Sequence, residues 1–432
     1  MTVDKTWFGQ PRGLTILFLT EMWEFFSYYG MRTLLVYYMT KHLLFPQQIS
    51  SFIYGSYTAT AYLMPIFGGI AADRWLGKRK AVIIGGTAMA IGHFMMAFEP
   101  LFYPALATIA MGNGLFVPSL PSQINDLYHP DDPRRGRAYN IYYAGINLGG
   151  MLAPLICGTL GELYGWHYGF GAAGAGMFLG LVIYIAGQNY LPEASPNRAM
   201  RQKPAGKPAD YATLGLLLGG VAIATTIFRG AYEQIGNTIP LWTDVGVDRA
   251  AGHITIPMTW FQALNPLLVI ALTPVLLLYW RRRAEATREI PPAHKMAIGA
   301  LIVAAAYLLL ATISALAGPN RANWFWLVLF FVILTLGELY ILPTGLGLFA
   351  RLAPARLGAT TVASWFLTIF SGSMLAGVVG TLWSRTSHSG FFLLLAGLAM
   401  VAALLLWFLE RPIRRLESSP PATRLAEEAS IL

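Results

Sequence analysis

The sequence predicts an all-α integral membrane protein whose twelve transmembrane helices form two six-helix bundles. Three observations support this fold class. First, 56% of the residues are hydrophobic and 12% are charged, a composition typical of membrane proteins with many spans. Second, twelve apolar runs come close to or exceed the roughly 20 residues that a helix needs to cross a bilayer. Third, the basic residues are concentrated in alternate loops.

The apolar runs divide into two groups of six, which we number helices 1 to 12 along the chain. The first six lie at 13–40, 51–72, 80–98, 101–126, 138–161 and 167–190. The second six lie at 209–235, 257–280, 295–317, 324–349, 358–382 and 390–410.

A polar segment separates the two groups. Residues 192–208, "PEASPNRAMRQKPAGKP", are rich in Pro, Ala and charge, which indicates a flexible cytoplasmic linker. We therefore predict an N-terminal bundle at 1–191 and a C-terminal bundle at 209–415. Residues 416–432 are predicted to form a disordered cytoplasmic tail. Two six-helix halves joined in this way resemble the plan of the major facilitator superfamily.

The basic residues predict the orientation of the chain. If the N-terminus is cytoplasmic, the two termini and the even-numbered loops contain 24 of the 30 Lys and Arg residues. This asymmetry predicts a multi-pass protein of the cell inner membrane with both termini in the cytoplasm. Orientation and contact with lipid headgroups therefore account for the formal charge of +9, and a nucleic-acid partner is not expected.

Cysteine and histidine usage argues against metal and cofactor chemistry. The single cysteine, Cys157, lies in an apolar run, and the seven histidines show no ligand spacing. We therefore expect no disulfide framework, no metal site and no cofactor. An enzyme would need a nucleophile and a base, or a metal set, within the spans, and the sequence indicates none.

Helix 1 contains charged residues inside an apolar run, in the stretch 21–32, "EMWEFFSYYGMR". A charge at the centre of a bilayer costs several kcal/mol. At about 100° per residue, Glu21, Glu24, Tyr28 and Arg32 share one narrow stripe of the helix, with Phe25 among them. This stripe must therefore face protein or a watery cavity.

The loop between helices 2 and 3 contains a second motif. Its sequence at 69–80, "GIAADRWLGKRK", resembles the major facilitator signature G-x-x-x-D-R-x-G-R-[KR] with one extra residue before Gly77. A carboxylate near a helix end can accept backbone N–H bonds and pair with arginine. We expect Asp73 and Arg74 to latch neighbouring helix ends together in one conformation; the alternative is that this cluster only sets topology.

Motifs along nearly the whole chain resemble the proton-dependent oligopeptide transporter family. The helix 1 stretch resembles the family motif E-x-x-E-R-F-x-Y-Y-G. Further similar stretches are "YYAGINLGGMLAPLICG" in helix 5, "FRGAYEQIGNTIPL" in helix 7, "FQALNPLLVI" in helix 8, "GELYILPTGLGLFARLAPARLGA" in helix 10 and "SWFLT" in helix 11.

The resemblance implies roles for residues at matching positions. In that family the acids matching Glu21 and Glu24 take part in proton coupling, and the acid matching Glu338 receives the amino terminus of the peptide. Arg32 and Glu233 match an ion pair that holds the outer side closed. Matches to the wall of the peptide cavity are Tyr28, Tyr29, Tyr62, Asn147, Asn265 and Trp365.

The residue chemistry is consistent with this implication. A free peptide is a zwitterion, so its site needs an anion at one end and a cation at the other, with aromatic and amide groups between them. A glutamate removed from water favours its protonated form and can therefore exchange protons. Since Glu21, Glu24, Glu233 and Glu338 are the acids placed well inside the spans, a proton-coupled cycle should depend on at least one of them.

Two cations that are usual in the family are replaced in this sequence. The helix 1 arginine is Phe25, and the helix 4 lysine is Val117. Arg229 lies four residues before Glu233, on the same helical face. It can form an i,i+4 ion pair or snorkel to the interface, or it can be a substrate-binding cation relocated into the cavity. Unless Arg229 replaces the lost cations, unmodified dipeptides should bind weakly.

The sequence therefore predicts a secondary active transporter that takes up peptide-like or modified amino-acid substrates with protons by alternating access. Its expected partners are a small-molecule or peptide substrate, protons and membrane lipid. One alternative keeps the fold and changes the cargo to a siderophore-like molecule or a conjugate without a free carboxylate, taken up or exported. Another is a receptor that binds its ligand without transporting it.

Overall fold

The computed structural model describes residues 6–418 except 8, 130, 131, 133, 193–210, 287–289 and 353–357. Within this part of the chain, twelve helices have 18 residues or more, and each overlaps one predicted run. They are α1 (Arg12–Tyr37), α2 (Gln47–Ala71), α3 (Lys78–Met95), α4 (Phe102–Ser122), α5 (Arg134–Ala153), α6 (Trp166–Ala186), α7 (Tyr211–Tyr232), α8 (Leu264–Glu285), α9 (Pro292–Ala317), α10 (Trp324–Leu352), α11 (Gly358–Gly380) and α12 (His388–Ser418).

Shorter elements extend or connect these helices. The π-helical turns are Tyr38–His42, Ala72–Leu76 and Pro154–Gly158, and the short α-helices are Thr159–Leu163 and Thr238–Val245. The 3₁₀ turns are Glu99–Leu101, Ile124–Leu127, Gln188–Tyr190, Glu233–Gly236, Met258–Ala263 and Trp383–Arg385. Two-residue strands pair Thr6–Trp7 with Gln10–Pro11, Val247–Asp248 with Ala322–Asn323, and Ala250–Ala251 with Ile254–Thr255.

Local sequence explains several helix boundaries. Gly77 and Gly165 precede α3 and α6 with φ of 74° and 129°, values that favour glycine because it lacks a Cβ. Pro292 begins α9, where its missing N–H breaks no helical hydrogen bond. The Asp132 carboxylate accepts a hydrogen bond of 2.9 Å from the backbone N–H of Arg134 at the start of α5. Hydrogen bonds from Arg134 also hold the pKa of the Asp132 carboxyl below its usual value.

Nine segments of the described chain are long and apolar enough to cross a membrane by length and composition. They correspond to α4 to α12, in whole or in part. Helices α1 to α3 are of similar length but less apolar; α1 carries Arg12, Glu21, Glu24 and Arg32. Because three of these four residues are buried within the protein, their charges do not require α1 to leave the bundle.

The helices form two bundles, α1–α6 and α7–α12. In the first bundle, α1 packs on α5 and α6, and α4 packs on α2 and α3. In the second bundle, α9 packs on α10 and α12, and α7 packs on α11 and α12. This arrangement confirms the predicted fold class of two six-helix bundles.

The two bundles meet at one end of the molecule. Because successive long helices alternate in direction, Arg12 and Ser418 lie at the same end, the terminal end, and we call the opposite end the distal end. At the distal end, α2 and α11 approach so closely that a Cβ on Gly377 would lie 2.9 Å from the Cα of Gly55. All hydrogen bonds between bundles that the described residues show lie in the distal half. Examples are Gln47 to Gly380 (2.8 Å), Ser51 to Asn237 (2.9 Å), Tyr37 to Pro240 (2.9 Å) and Trp260 to Thr159 (2.7 Å).

The predicted linker, apart from Pro192, falls outside the described residues, as do residues 419–432 of the predicted tail. Helix α12 continues to Ser418, three residues beyond the predicted end of the C-terminal bundle. The exact domain boundaries therefore stay predictions.

Candidate functional site

A cavity of about 220 Å³ lies between the two bundles. The first bundle contributes Phe25, Tyr29, Arg32, Tyr62, Tyr143, Ile146, Asn147 and Gly150 to its wall. The second bundle contributes Arg229, Tyr232, Glu233, Ile235, Asn265, Pro266, Glu338 and Leu342. Aromatic rings, two amides and four charged side chains therefore face one enclosed space.

At one side of the cavity, a single carboxylate bridges two guanidinium groups. Nη2 of Arg32 donates to Oε2 of Glu233, and Nη2 of Arg229 donates to Oε1 of the same carboxylate. All three residues are buried, with exposed fractions of 6%, 4% and 1% for Arg32, Arg229 and Glu233. The pair of Arg32 and Glu233 also joins the two bundles, because the two residues belong to different bundles.

The local fold of α7 explains this arrangement. Arg229 and Glu233 are four residues apart, so their side chains lie on the same helical face. The α-helix ends at Tyr232, and a 3₁₀ turn carries Glu233 to Gly236. A side chain at Gly236 would collide with Tyr54, whose hydroxyl accepts a 2.6 Å hydrogen bond from Nε of Arg32. The break in α7 therefore lets the guanidinium of Arg32 reach across the bundle interface.

Aromatic rings surround the guanidinium of Arg229. Its Cζ lies 5.7 Å from the ring centroid of Tyr62 and 5.8 Å from that of Tyr232, within cation–π range. Its Nε is buried and has no hydrogen-bond partner among the described residues. The sequence offered an i,i+4 ion pair and a position in the cavity as alternatives for Arg229. In the structure Arg229 forms the ion pair with Glu233 and also lines the cavity.

Glu338 of α10 forms the other charged part of the cavity wall. Its Oε2 accepts a 2.6 Å hydrogen bond from Nδ2 of Asn265, and Tyr232 lies beside its carboxylate. Nδ2 of Asn265 lies 3.1 Å from Oγ1 of Thr335. These contacts hold the Glu338 carboxylate in place at a site where a cation could bind.

The acids of helix 1 face protein and do not line this cavity, which is one of the two environments that the sequence allowed for the charged stripe. Phe25, Tyr29 and Arg32 face the cavity, whereas Glu21 and Glu24 are only 3% and 1% exposed and lie within the first bundle. The two sets lie roughly 70° apart around α1 at about 100° per residue, so a single stripe was too coarse a description. Tyr28 is buried on the same side as the two acids.

The two buried acids have polar neighbours but no cation partner. Glu21 lies beside Tyr142 of α5, and Glu24 lies near Glu21 and Tyr57 of α2. The described residues show no ion pair for either acid, and Oε2 of each lacks a hydrogen-bond partner. This absence agrees with the replacement of the helix 1 arginine by Phe25.

Two residues expected at the substrate lie elsewhere in this conformation. Trp365 is buried in the second bundle, where its ring packs at 5.3 Å against Phe349 and its edge contacts Gly345. Val117 is half-buried on α4 and does not contribute to the cavity wall.

The contact predicted for Asp73 and Arg74 is not formed among the described residues. Asp73 and Arg74 are exposed, and the part of the chain that the structure describes shows no ion pair for either. The extra residue of the signature loop is accommodated by the π-helical turn Ala72–Leu76, because a π turn contains one residue more than an α turn. At the same end, Lys78 pairs with Asp126 at 2.7 Å.

Sequence reasoning missed several residues of the wall. Tyr143, Asn147 and Gly150 are spaced i, i+4 and i+7 on α5, so the position of Asn147 could have identified the other two. Tyr232 lies three residues after Arg229 and could have been found in the same way. Pro266 and Leu342 follow Asn265 and Glu338 by one and four residues.

A second, larger cavity of about 720 Å³ lies at the terminal end of the second bundle. Its wall includes Arg283, His294, Trp407, Glu410 and Arg411. Because it lies on one bundle only, it is not part of the site between the bundles.

Comparison with known proteins agrees with this architecture. The family model described as "POT family" matches residues 79–207 and 219–402. The chain is 30% identical to "Uncharacterized transporter YclF" of Bacillus subtilis (strain 168), over 95% of this chain and 96% of that protein. It is also 30% identical to "Peptide transporter YePEPT" of Yersinia enterocolitica, over 98% of each chain.

A solved structure shows the same fold. A mutant of "peptide transporter POT" in complex with alafosfalin superposes with a TM-score of 0.89 at 30% sequence identity, covering 96% of this chain and 97% of that one. Both the family model and the relatives cover most of the sequence. The chain belongs to the POT family, the proton-dependent oligopeptide transporters that its helix motifs resemble.

Proposed function

We propose that this protein is a secondary active transporter that takes up short peptides or peptide-like compounds together with protons. The observation that carries the proposal is the cavity between two bundles whose mutual hydrogen bonds, among the described residues, lie only in the distal half. A site at the interface of two rocking bundles is the arrangement that alternating access requires. Relatives of this chain are named as peptide transporters.

The conformation corresponds to one end of such a cycle. The distribution of basic residues supports cytoplasmic termini in a cell inner membrane, which makes the distal end the outer one. The contacts between α2 and α11 and the ion pair of Arg32 with Glu233 then close the outer side. Asp73 and Arg74, exposed at the terminal end, form a latch for the opposite conformation.

The cavity fits a zwitterion. Glu338 supplies an anion for the amino group, and the pair of guanidiniums supplies positive charge for the carboxylate. Tyr29, Tyr62, Asn147 and Asn265 offer aromatic faces and amides that suit varied side chains, while Phe25 makes this part of the wall apolar. Three expected substrate contacts lie outside the wall in this conformation: Tyr28, Trp365 and Val117. They would reach the substrate only if the protein changed its conformation.

Proton coupling is assigned to buried glutamates. Protonation of Glu233 would remove the charge that holds Arg32 and Arg229, and so would weaken the contact between the bundles. Glu21 and Glu24 lack a cation partner among the described residues, so a proton on either satisfies a buried carboxylate without breaking an ion pair. A cargo without a free carboxylate is less well supported, because the cavity contains Arg229.

Counterflow tests transport against binding alone. Purified protein in liposomes loaded with unlabelled L-alanyl-L-alanine should take up the labelled dipeptide from outside and show a transient overshoot. A receptor would bind the dipeptide without this overshoot. Label uptake equal to that of protein-free liposomes would contradict the proposed function.

A further inference from the structure

We infer that Arg229 binds the carboxylate of the substrate, so that the second bundle holds both charged ends of the cargo. This inference rests on the proposed function and names the binding group within it. It also restricts the cargo to short compounds with a free carboxylate and a free amine.

The first argument is the charge balance of the cluster formed by Arg32, Arg229 and Glu233. Arg32 and Arg229 share one carboxylate, that of Glu233, which leaves one positive charge without a partner in this cluster. A buried charge without compensation is unfavourable, so this side of the cavity favours an additional anion. The next acid on the wall, Glu338, accepts its hydrogen bond from Asn265 and is in an ion pair with neither arginine among the described residues.

The second argument is the number of free donors. The guanidinium of Arg32 uses Nε to bind Tyr54 and Nη2 to bind Glu233. Arg229 uses Nη2 to bind Glu233, but its buried Nε has no partner among the described residues although the residue lines the cavity. Arginine binds carboxylates through two parallel N–H groups, so Arg229 is the better placed of the two for a second carboxylate.

The third argument is the distance between the two charged parts of the site. The ring of Tyr232 lies 5.8 Å from Cζ of Arg229, and the same side chain lies beside the carboxylate of Glu338. A single tyrosine side chain thus links the cation to the anion. An extended chain spans at most about 3.6 Å per residue, so charged groups separated by one tyrosine side chain suit a dipeptide, which is about 7 Å long, better than a longer peptide. The volume of about 220 Å³ is likewise smaller than the roughly 300–1,000 Å³ of drug-sized sites.

The consequence concerns how the substrate acts on the outer contact. A carboxylate that binds Arg229 competes with Oε1 of Glu233 for the same guanidinium. Binding of cargo would therefore loosen Glu233 from its own bundle while Arg32 still holds it from the other side. The Glu233 side chain therefore couples the binding of substrate at Arg229 to the ion pair of Arg32 with Glu233 on the outer side.

The test compares L-alanyl-L-alanine with its carboxamide, which lacks the anionic carboxylate. Dissociation constants are measured for both by calorimetry on purified wild type, Arg229→Gln and Arg229→Lys. The wild type should prefer the free acid by about tenfold or more, the effect of one charge-assisted hydrogen bond. Arg229→Gln should bind the free acid about tenfold to a hundredfold more weakly and bind the amide equally well or better.

Control variants separate binding from folding. Arg229→Lys keeps the charge without the planar fork and should retain part of the preference. Arg281→Gln removes an exposed arginine that pairs with Glu285 at 2.9 Å on α8 and should behave as wild type. A misfolded protein would lose both ligands, whereas the inference requires a change in their ratio.

The outcomes distinguish the two levels of the account. If wild type binds neither compound, the proposed function itself fails. If wild type prefers the free acid and Arg229→Gln keeps the same preference, this inference is wrong and the proposed function stands. If the preference is lost in Arg229→Gln and partly kept in Arg229→Lys, the carboxylate site is established.

Discussion

At the scale of single residues, Glu233 determines how charge is distributed in the site. Its carboxylate accepts hydrogen bonds from two arginines of different bundles. Any change in its charge therefore alters both the cavity and the outer contact. Arg229 lies four residues before Glu233 and pairs with it. With an apolar residue at position 229, Arg32 would be the remaining ion-pair partner of Glu233 in this cluster.

Replacing each buried glutamate by Gln, which resembles the protonated form, should identify the coupling residue. We expect Glu233→Gln to abolish accumulation driven by a pH gradient while counterflow exchange continues. The same measurement on Glu21→Gln, Glu24→Gln and Glu338→Gln provides the comparison. If all four variants still concentrate the dipeptide with a proton gradient, the assignment of coupling to these acids is wrong.

A cation introduced at Phe25 should replace Arg229. Phe25 lines the same cavity from the first bundle, so Phe25→Arg in the Arg229→Gln background should restore about tenfold of the lost affinity for L-alanyl-L-alanine. The binding assay with the free acid and the amide measures this effect. Adding Val117→Lys should increase the affinity for the free acid only in a conformation that brings α4 to the cavity. If Phe25→Arg gives no gain in this affinity, the proposed position of the substrate is contradicted.

The sequence predicted which residues belong to the site better than it predicted which side of a helix each side chain faces. The charged stripe of helix 1 was visible in the spacing. Of all the site residues expected from the sequence, nine line the cavity, including Tyr29, Asn265 and Glu338. The spacing left open whether Glu21 and Glu24 face protein or the cavity, because a difference of about 70° around a helix depends on which neighbouring helix packs there. That information is tertiary and is absent from the spacing of residues within one helix.

At the scale of elements, the contact of α2 with α11 closes the distal end. Gly55 and Gly377 allow the two backbones to touch, and Gln48 on α2 donates a 2.6 Å hydrogen bond to Ser384 beyond α11. Transport by alternating access requires this contact to open and close. Fixing it should therefore stop the cycle.

Cysteines at positions 48 and 384 should form a cross-link in the Cys157→Ala background when no substrate is present. The cross-linked protein should lose transport, and reduction should restore it, because the distal end can then open again. Each single cysteine serves as the control. Wild-type transport rates in the fully cross-linked protein would contradict the proposed motion.

The sequence predicted the long elements well and the short ones poorly. Hydrophobic runs located all twelve helices because each run comes close to or exceeds the length that crosses a bilayer. The two-residue strands and the π-helical turns have no comparable pattern. The extra residue in the loop at 69–80 was noticed, but only the structure shows that the turn Ala72–Leu76 absorbs it.

At the scale of the whole molecule, the orientation in the membrane follows from charge. Single cysteines in the Cys157→Ala background should react with an impermeant reagent from outside at Asn320, in the loop after α9, and only from inside at Gly136, at the start of α5. Both positions are exposed, and a side chain at Gly136 would meet no neighbouring atom within 4 Å. The reverse labelling would overturn the assignment of cytoplasmic termini.

The most direct test of the account is accumulation of labelled L-alanyl-L-alanine in liposomes under an inward pH gradient. Wild type should concentrate the dipeptide above its outside level, and a protonophore should collapse this accumulation. Arg281→Gln should do the same, whereas Arg229→Gln should need about tenfold to a hundredfold more dipeptide for the same rate. Uptake that stops at equal concentrations on the two sides, with or without the gradient, would contradict proton-coupled transport.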